Sequence, residues 1–291
     1  MKIDRRQMLI QNVEALRKQD IKFDHLCLHL ENLDSIAVAF SGGVDSTFLI
    51  ALASVISEKV KAITVKSPYI ATWEIDEATD LTKDLAVTHD ILEVGIPSSI
   101  QYNPIDRCYL CKHEIFSTIK AKAATEGFEH VCDGSNFDDL GDYRPGMRAL
   151  RELEVCSPLL DCEVTKAEIR KWSKYLKLET WDKPPYACLL TRIPYDTQII
   201  QPDLTMIERS EFYLMTLGIK AIRVRKHENL ARIEISADEF EKILNANLMA
   251  QVADKLKSFG FEHVTLDLAG YKMGSFNAQI ASLQEEGHES K

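Results

Sequence analysis

No stretch of this 291-residue sequence approaches the roughly 18 uninterrupted apolar residues that a membrane helix needs. Its opening, MKIDRRQMLI, does not read as a signal peptide, so a cytoplasmic chain without a membrane partner is expected. A cationic surplus is missing too. Thirty-five Lys and Arg face 45 Asp and Glu, a formal charge of −10 with histidine neutral. Generic binding to nucleic acid or an anionic membrane needs excess cations, so no nucleic-acid partner is expected. There is no internal repeat or low-complexity tract, and only Glu285–Lys291 reads as a frayed tail. A hydrophobic content of 45% supports a sizeable core. At roughly 100–200 residues per domain, the length suggests two domains, or one large and one small. What stands out instead is seven cysteines. In a reducing compartment these are more often buried, metal-binding or catalytic than disulfide-bonded.

Residues 1–180 alternate strand and helix patterns. Ser35–Phe40, Val60–Lys66, Asp90–Val94 and His130–Asp133 read as strands, while Thr47–Ser57, Trp73–Thr88 and Lys112–Glu126 read as helices. This alternation predicts an α/β fold, a parallel sheet with helices on both faces. Thr165-Lys-Ala-Glu168 is a capping box that starts a helix running to about Lys177. Residues 181–202 carry Pro184, Pro185, Pro194 and Pro202 and read as a linker. Residues 203–291 form a smaller α+β domain. Its expected elements are a helix Leu204–Leu217, strands Ala221–Lys226 and Ala231–Ile235, a second capping box at Ser236–Glu239, a helix ending before Gly260 and a strand Val264–Leu268.

The sharpest motif is Ser41-Gly42-Gly43-Val44-Asp45-Ser46, between a strand and a helix. Two glycines let amide N–H groups converge, the helix adds its positive end, and Ser41 and Ser46 add hydroxyls, which together make an anion cradle. It lacks the GK[ST] ending of a Walker A loop and is not G-x-G-x-x-G. It resembles SGGxDS, the PP-loop of ATP pyrophosphatases, which cleave ATP to AMP and pyrophosphate to adenylate a substrate oxygen. Asp45 suits Mg²⁺, since hard cations favour carboxylate oxygens. Asp133-Gly134-Ser135-Asn136 follows a predicted strand, so it should face the same crevice as Ser41–Ser46. Alone it is a turn signature; beside a PP-loop it resembles the superfamily's DGTNxDD segment, next to the nucleotide.

Cys27, Cys132, Cys156 and Cys162 lie in or beside apolar runs, and most of them read as inert buried residues. Cys108-Tyr-Leu-Cys111 is C-x-x-C, and Cys188 sits in the proline-rich segment. A lone C-x-x-C fits redox, zinc, cluster or incidental roles. Three thiolates suit an iron–sulfur cluster with one iron lacking a protein ligand, and zinc with a histidine such as His113 competes. Arg107, Lys112 and Arg192 flank these sulfurs and favour the thiolate.

SGGVDS, NPIDRCYLCK, DGSNFDDLGDYRPG, SPLLD with TKAEIR, WDKPPYACLLTRIPY, RVRKHENLARIEI and LDLAGYKMGS occur in this order over about residues 35–277. Together they resemble the LarE family, ATP-dependent sulfur transferases that build the nickel-pincer nucleotide cofactor for lactate racemization. The resemblance implies a mononucleotide substrate, pyridinium-3,5-biscarboxylic acid mononucleotide, whose carboxylates become thiocarboxylates. It also implies ATP, Mg²⁺ and a homo-oligomer, hexamers included. One version of the family sacrifices the sulfur of the cysteine matching Cys188. The other carries C-x-x-C as well and holds a 4Fe–4S cluster on three cysteines to relay sulfide. This chain resembles the second, with Cys108, Cys111 and Cys188 as cluster ligands and sulfide or another sulfur donor as a partner.

Between Lys220 and Arg232 five Lys or Arg meet one acid, Glu228, a local reversal in an acidic chain. Strand alternation places Arg223 and Arg225 on one face, two forks suited to phosphate. The resemblance assigns them, with Thr191 and Arg192, to the substrate phosphate; Arg232 and Glu234 match the family's ARIE. Two departures stand out. Thr191 replaces the usual serine but keeps the hydroxyl, and Asp196 stands where the family has glycine, in a turn that could require positive φ. A tRNA sulfurtransferase of the same superfamily shares the PP-loop with C-x-x-C, though the charge of −10 counts against it. A non-catalytic nucleotide or cluster sensor is a further alternative.

Overall fold

In the computed structural model, which describes residues 5–141 and 145–271, the chain divides into two compact units. The first runs to Ser99 and resumes over Asp106–Tyr186; the second takes Ile100–Ile105 and the chain from Ala187 onward. The Glu285–Lys291 tail, Asp142–Arg144 of the DGSN stretch and Lys272–Ser275 of LDLAGYKMGS lie outside the described residues.

In chain order the first unit contains α1 (Arg5–Arg17), α2 (Ile21–Glu31), β1 (Ser35–Ala39), α3 (Val44–Ile56), β2 (Lys59–Lys66), α4 (Thr72–Asp84), β3 (Thr88–Glu93), α5 (Arg107–Thr125), β4 (His130–Cys132), α6 (Gly146–Glu152), α7 (Pro158–Asp161) and α8 (Lys166–Tyr175). Its sheet is parallel throughout, in the order β3-β2-β1-β4. The period of two along β1 explains the layering. Ile36 and Val38 enter one core with Phe23, Leu26, Phe48 and Trp172, while Ala37 enters another with Ile63, Phe116 and Ile119. Helices therefore cover both faces, as the sequence predicts. Chain order reverses at β1, with β2 on one side and β4 on the other, so the loops leaving β1 and β4 meet at the carboxyl end of the sheet.

The second unit contains α9 (Gln201–Thr216), β5 (Ile222–His227), β6 (Leu230–Ile235), α10 (Phe240–Ile243), α11 (Ala246–Phe259) and β7 (His263–Leu266). β5 and β6 pair antiparallel, and β7 adds to β6 in parallel. Leu214, Val224, Ile233, Val252 and Leu256 fill its core. No helix among the described residues is long and apolar enough to cross a membrane.

Two local readings change and one holds. α5 begins at Arg107 rather than Lys112, so Cys108 and Cys111 stand within its first five residues. The Thr165 box forms as expected: the Glu168 amide donates to the Thr165 hydroxyl and the Thr165 amide donates to the Glu168 carboxylate. The Ser236 box does not form. The Ser236 hydroxyl bonds Asp238, and the Glu239 carboxylate is taken by the Lys220 and Ala221 amides at 3.1 Å. Those amides precede β5 and have no strand partner there, so they outcompete the local cap. The helix of this region, α11, is capped instead by Asn245.

Candidate active site

The loop leaving β1 is shaped by two glycines. Gly42 has φ +68°, and a Cβ there would lie 3.3 Å from Cα and Cβ of Ala78 on α4. The left-handed backbone and the close approach both exclude a side chain. Gly43 caps α3 with extended backbone and no side-chain cap bond. Ser41 and Ser46 lie across the loop mouth with their hydroxyls 3.2 Å apart, and the Ser46 hydroxyl donates to the Gly43 carbonyl at 3.3 Å. Amides, two hydroxyls and the start of a 13-residue helix thus converge, the arrangement that favours a phosphate-like anion.

The loop leaving β4 packs directly on this cradle. A Cβ at Gly134 would lie 3.1 Å from Cβ of Asp45 and 3.1 Å from the Ser46 amide nitrogen. Asn136 reaches the Asp45 carboxylate at 3.5 Å. Asp133 is buried, its carboxylate accepting from the hydroxyls of Ser135 and, at 2.7 Å, Ser157. The Asn136 amide donates to Asp139 at 3.0 Å, and the Asp138 amide to the Asn136 side chain at 3.1 Å. All eight residues assigned to ATP on sequence grounds therefore belong to two loops held in contact. Asp45 also pairs with Lys166, the first residue of α8. Burial raises the Asp45 carboxyl above the ordinary carboxylate range, and the Lys166 ammonium pulls it back. A cation already satisfies the group expected to hold Mg²⁺.

Two lysines here were not singled out from the sequence. Lys166 lies inside the capping-box tetrapeptide, where it reads as helix N-terminal filler. Lys183, with only 9% of its side chain exposed, donates to the Gly42 carbonyl at 2.8 Å and to Glu77 at 2.7 Å, bracing the loop from behind. Its position before Pro184 was the available signal.

None of the seven cysteines is in a disulfide. Cys108 is exposed and Cys111 half-buried, three residues apart and so neighbours on one helix face. The Cys111 sulfur lies 3.3 Å from the Tyr69 hydroxyl. Among the described residues no group of three or more His, Cys, Asp or Glu side chains is arranged to hold a metal ion.

Within the second unit, Cys188 precedes a single 3-10 turn, Leu189–Arg192. Its carbonyl accepts from the Thr191 hydroxyl at 3.0 Å and from Arg192 at 2.9 Å, which fixes the backbone and leaves the thiol half-buried. Arg192 is 2% exposed and forms a two-pronged pair with Glu211 of α9 at 2.9 and 2.8 Å. Glu211 also accepts the Val224 amide at 2.8 Å, satisfying a donor on the edge strand β5. Arg225 forks onto Glu234 and donates to the Thr191 carbonyl at 2.6 Å. Arg232 adds a 2.9 Å bond to the same Glu234. Arg223 lies over the Tyr271 ring at 4.9 Å, and burial, then the nearby Arg192, lowers its pKa. Thr191, Arg192, Arg223, Arg225, Arg232 and Glu234 are thus brought together around the Cys188 turn. Glu211 of α9, unremarked in the sequence, holds Arg192 as Glu234 holds Arg225 and Arg232.

Asn103, fully buried, also passed unnoticed. Its side-chain amide donates to the carbonyls of Leu190, Ile193 and Pro194 at 3.3, 2.8 and 2.9 Å. Asp196 has φ +55°, and its amide donates to the Asn103 carbonyl at 3.2 Å.

Comparison with known proteins bears on this arrangement. Residues 35–133, from β1 through the start of the DGSN loop, match the family model described as queuosine biosynthesis protein QueC. An uncharacterized protein of Synechocystis sp. is 37% identical over 259 residues, covering 88% of this chain and 97% of that protein. One from Methanocaldococcus jannaschii is 35% identical over 237 residues, 81% of this chain and 90% of its own length. The pyridinium-3,5-bisthiocarboxylic acid mononucleotide synthase of Lactiplantibacillus plantarum is 32% identical over 259 residues, 88% of this chain and 93% of the relative. With identity at that level across nearly the whole of both chains, the protein belongs to the LarE family, that of the pyridinium-3,5-bisthiocarboxylic acid mononucleotide synthase.

Proposed function

We propose that this chain is an ATP-dependent sulfur insertase that converts carboxylates of pyridinium-3,5-biscarboxylic acid mononucleotide to thiocarboxylates. The observation that carries the reading is the close packing of the Asp133–Asn136 loop on Ser41–Ser46, with Gly134 against Asp45 and Ser46. A carboxylate is a poor electrophile. Its oxygen attacks the α-phosphorus of ATP, the bond to pyrophosphate breaks, and an acyl-adenylate forms. The Ser41–Ser46 amides and hydroxyls hold the departing pyrophosphate. Asp45 would hold Mg²⁺, which would supply positive charge to the phosphates, and Lys166, its present partner, stands beside it. A sulfur nucleophile then adds to the activated carbonyl and AMP departs with the bonding electrons. Arg223 and Arg225, with the Thr191–Arg192 turn, serve the substrate phosphate.

Cys108, Cys111 and Cys188 would hold the 4Fe–4S cluster. The donor chemistry fits, since all three are thiols outside any disulfide and Cys108 and Cys111 share one helix face. Bound there, the cluster would supply a soft iron site for sulfide. A second reading draws support from the fixed backbone of Cys188: its own sulfur is transferred and dehydroalanine remains.

Anaerobically prepared protein with ATP and the mononucleotide should release pyrophosphate and yield a thiocarboxylate product. Cys108→Ala should abolish sulfur transfer and leave pyrophosphate release intact. Sulfur transfer that survives Cys108→Ala, with loss of H₂S from Cys188 in the spent protein's mass, would establish the second reading. Absence of pyrophosphate would overturn both. Pyrophosphate release that depends on tRNA instead would move the chain to the thiolation enzymes.

A further inference from the structure

Four cysteines fall outside the sulfur chemistry, and two of them are not solitary. Cys132 ends β4, and Cys156 forms an isolated parallel bridge with it, the two residues directly opposite. The Cys156 amide donates to the Val131 carbonyl and the Asp133 amide to the Cys156 carbonyl, each at 2.9 Å. Neighbouring strands lie about 4.8 Å apart, inside the Cα separation that a disulfide spans. Residues opposite one another in a ladder project to the same face, so both thiols leave the backbone in one direction.

The two sulfurs have unequal surroundings. Cys132 is fully buried, whereas Cys156 is half-buried with its sulfur 3.8 Å from Nδ1 of His130. The hydrogen bond from Cys132, helped by His130, lowers the Cys156 thiol to about 6 against the cost of desolvation, and Cys132 is raised. Asp161 opposes ionisation of both. Cys156 is therefore the nucleophile and Cys132 the thiol in reserve. Each also adjoins a residue of the nucleotide loop: Cys132 precedes Asp133, and Cys156 precedes Ser157, whose hydroxyl holds Asp133 at 2.7 Å.

We propose that Cys132 and Cys156 form a peroxide-responsive thiol pair that closes to a disulfide beneath the Asp133–Asn136 loop and withdraws that loop from nucleotide binding. The Cys156 thiolate attacks one oxygen of hydrogen peroxide, the O–O bond breaks, and hydroxide leaves, giving a sulfenic acid. Cys132 then attacks the Cys156 sulfur, the S–O bond breaks, and the Cys132 proton leaves with that oxygen as water. Two thiols and one peroxide become one disulfide and two waters, and a thiol reductant reverses the change. Drawing the sulfurs together shifts Asp133 and Ser157. Gly134 cannot follow without consequence, because the loop lies so near the cradle that a Cβ there would stand 3.1 Å from Asp45 Cβ and from the Ser46 amide nitrogen. The disulfide itself stands independently of the proposed function; only its effect on ATP rests on that reading.

The test titrates the anaerobically prepared full chain with hydrogen peroxide, alkylates it and maps its peptides, while Mg-ATP affinity is followed by calorimetry. A Cys132–Cys156 crosslink, 2 Da lighter than the two thiols, should appear while Cys27 and Cys162 stay alkylatable after denaturation. ATP affinity should fall about tenfold or more and return with dithiothreitol. In Cys132→Ala, dimedone should label Cys156, and the affinity of the reduced protein should match the unaltered chain. Cys156→Ser should bind ATP when reduced and lose the reversible response. Oxidation of Cys156 straight to sulfinic acid, or no change there while Cys108, Cys111 and Cys188 oxidise, would overturn the pair. A crosslink that leaves ATP affinity unaltered would overturn the switch. No ATP binding by reduced protein would instead count against the nucleotide reading and leave the crosslink result standing.

Discussion

The two units prepare for anions in opposite ways. Around Ser41–Ser46 the groups are backbone amides and hydroxyls, shaped by Gly42, Gly43 and Gly134, with the ion pairs Asp45–Lys166 and Glu77–Lys183 beside them. Around the Cys188 turn the groups are guanidiniums, and Arg192 and Arg225 are each forked onto a buried carboxylate. In the first site each ion pair keeps one partner open to water, Lys166 in one and Glu77 in the other, so the loss of a partner can be screened. The second buries full charges that are tolerable only in pairs, because desolvation of a lone ion costs several kcal/mol. Changes in the first should therefore appear in catalysis, and changes in the second in stability first.

Glu211→Ala should break this comparison most severely if it is wrong. It strands Arg192 and the Val224 amide together, and loss of one partner of a buried pair costs about 3–5 kcal/mol. Urea unfolding measures this, and a loss below about 1 kcal/mol would show that water reaches Arg192. Next in size is Asp45→Asn. Pyrophosphate release should fall by about 10²–10³-fold, the range for removing one group that stabilises developing charge. Stability should stay within about 1 kcal/mol, because Lys166 is partly exposed and can turn to solvent. A variant that loses stability instead would make this loop as charge-dependent as the other.

How much of this the sequence discloses follows the same division. The anion loop is legible because a contiguous hexapeptide with two glycines between strand and helix patterns states its own geometry. The two faces of the sheet are legible from the strand–helix alternation, while the position of Cys108 and Cys111 at the start of α5 is not. Asp106 provides no side-chain cap bond there, so no local signal marks the start of α5. Glu211 and Asn103 stay hidden for a different reason. Each acts on residues far along the chain, Glu211 on Arg192 and Val224, Asn103 on Leu190, Ile193 and Pro194. No local pattern announces such a pairing. The Ser236 box fails on the same ground, since Glu239 is claimed by amides 18 and 19 residues away.

Asn103→Ala sharpens the comparison from within the second unit. It removes the side-chain amide that serves three carbonyls of the Cys188 turn and should cost about 1–3 kcal/mol. The altered turn should also change the alkylation rate of Cys188. Asn103→Gln, one methylene longer, should not restore it in a site with no exposed surface. Unchanged stability and an unchanged Cys188 alkylation rate would show that the turn holds without Asn103.

The smallest effect bears on the departure at Asp196. The structure gives this residue φ +55°, the left-handed conformation for which glycine has no steric penalty. Aspartate is among the few other residues that visit this region with tolerable strain, because its short side chain bonds locally. Asp196→Gly should therefore stabilise only slightly, by about 0.5 kcal/mol, since relief of strain is offset by the greater freedom of glycine in the unfolded chain. Asp196→Val, with its β-branch against the turn, should destabilise by about 1–2 kcal/mol. Asp196→Asn separates backbone from charge: it keeps the conformation and removes the carboxylate. Asp196 is exposed and no ion pair holds it among the described residues, so it stands outside the rule of its unit, and the asparagine variant should move stability no more than the glycine variant. If mononucleotide affinity rises in the asparagine and glycine variants alike, the carboxylate opposes the substrate phosphate. A rise in the glycine variant alone would locate the effect in the backbone.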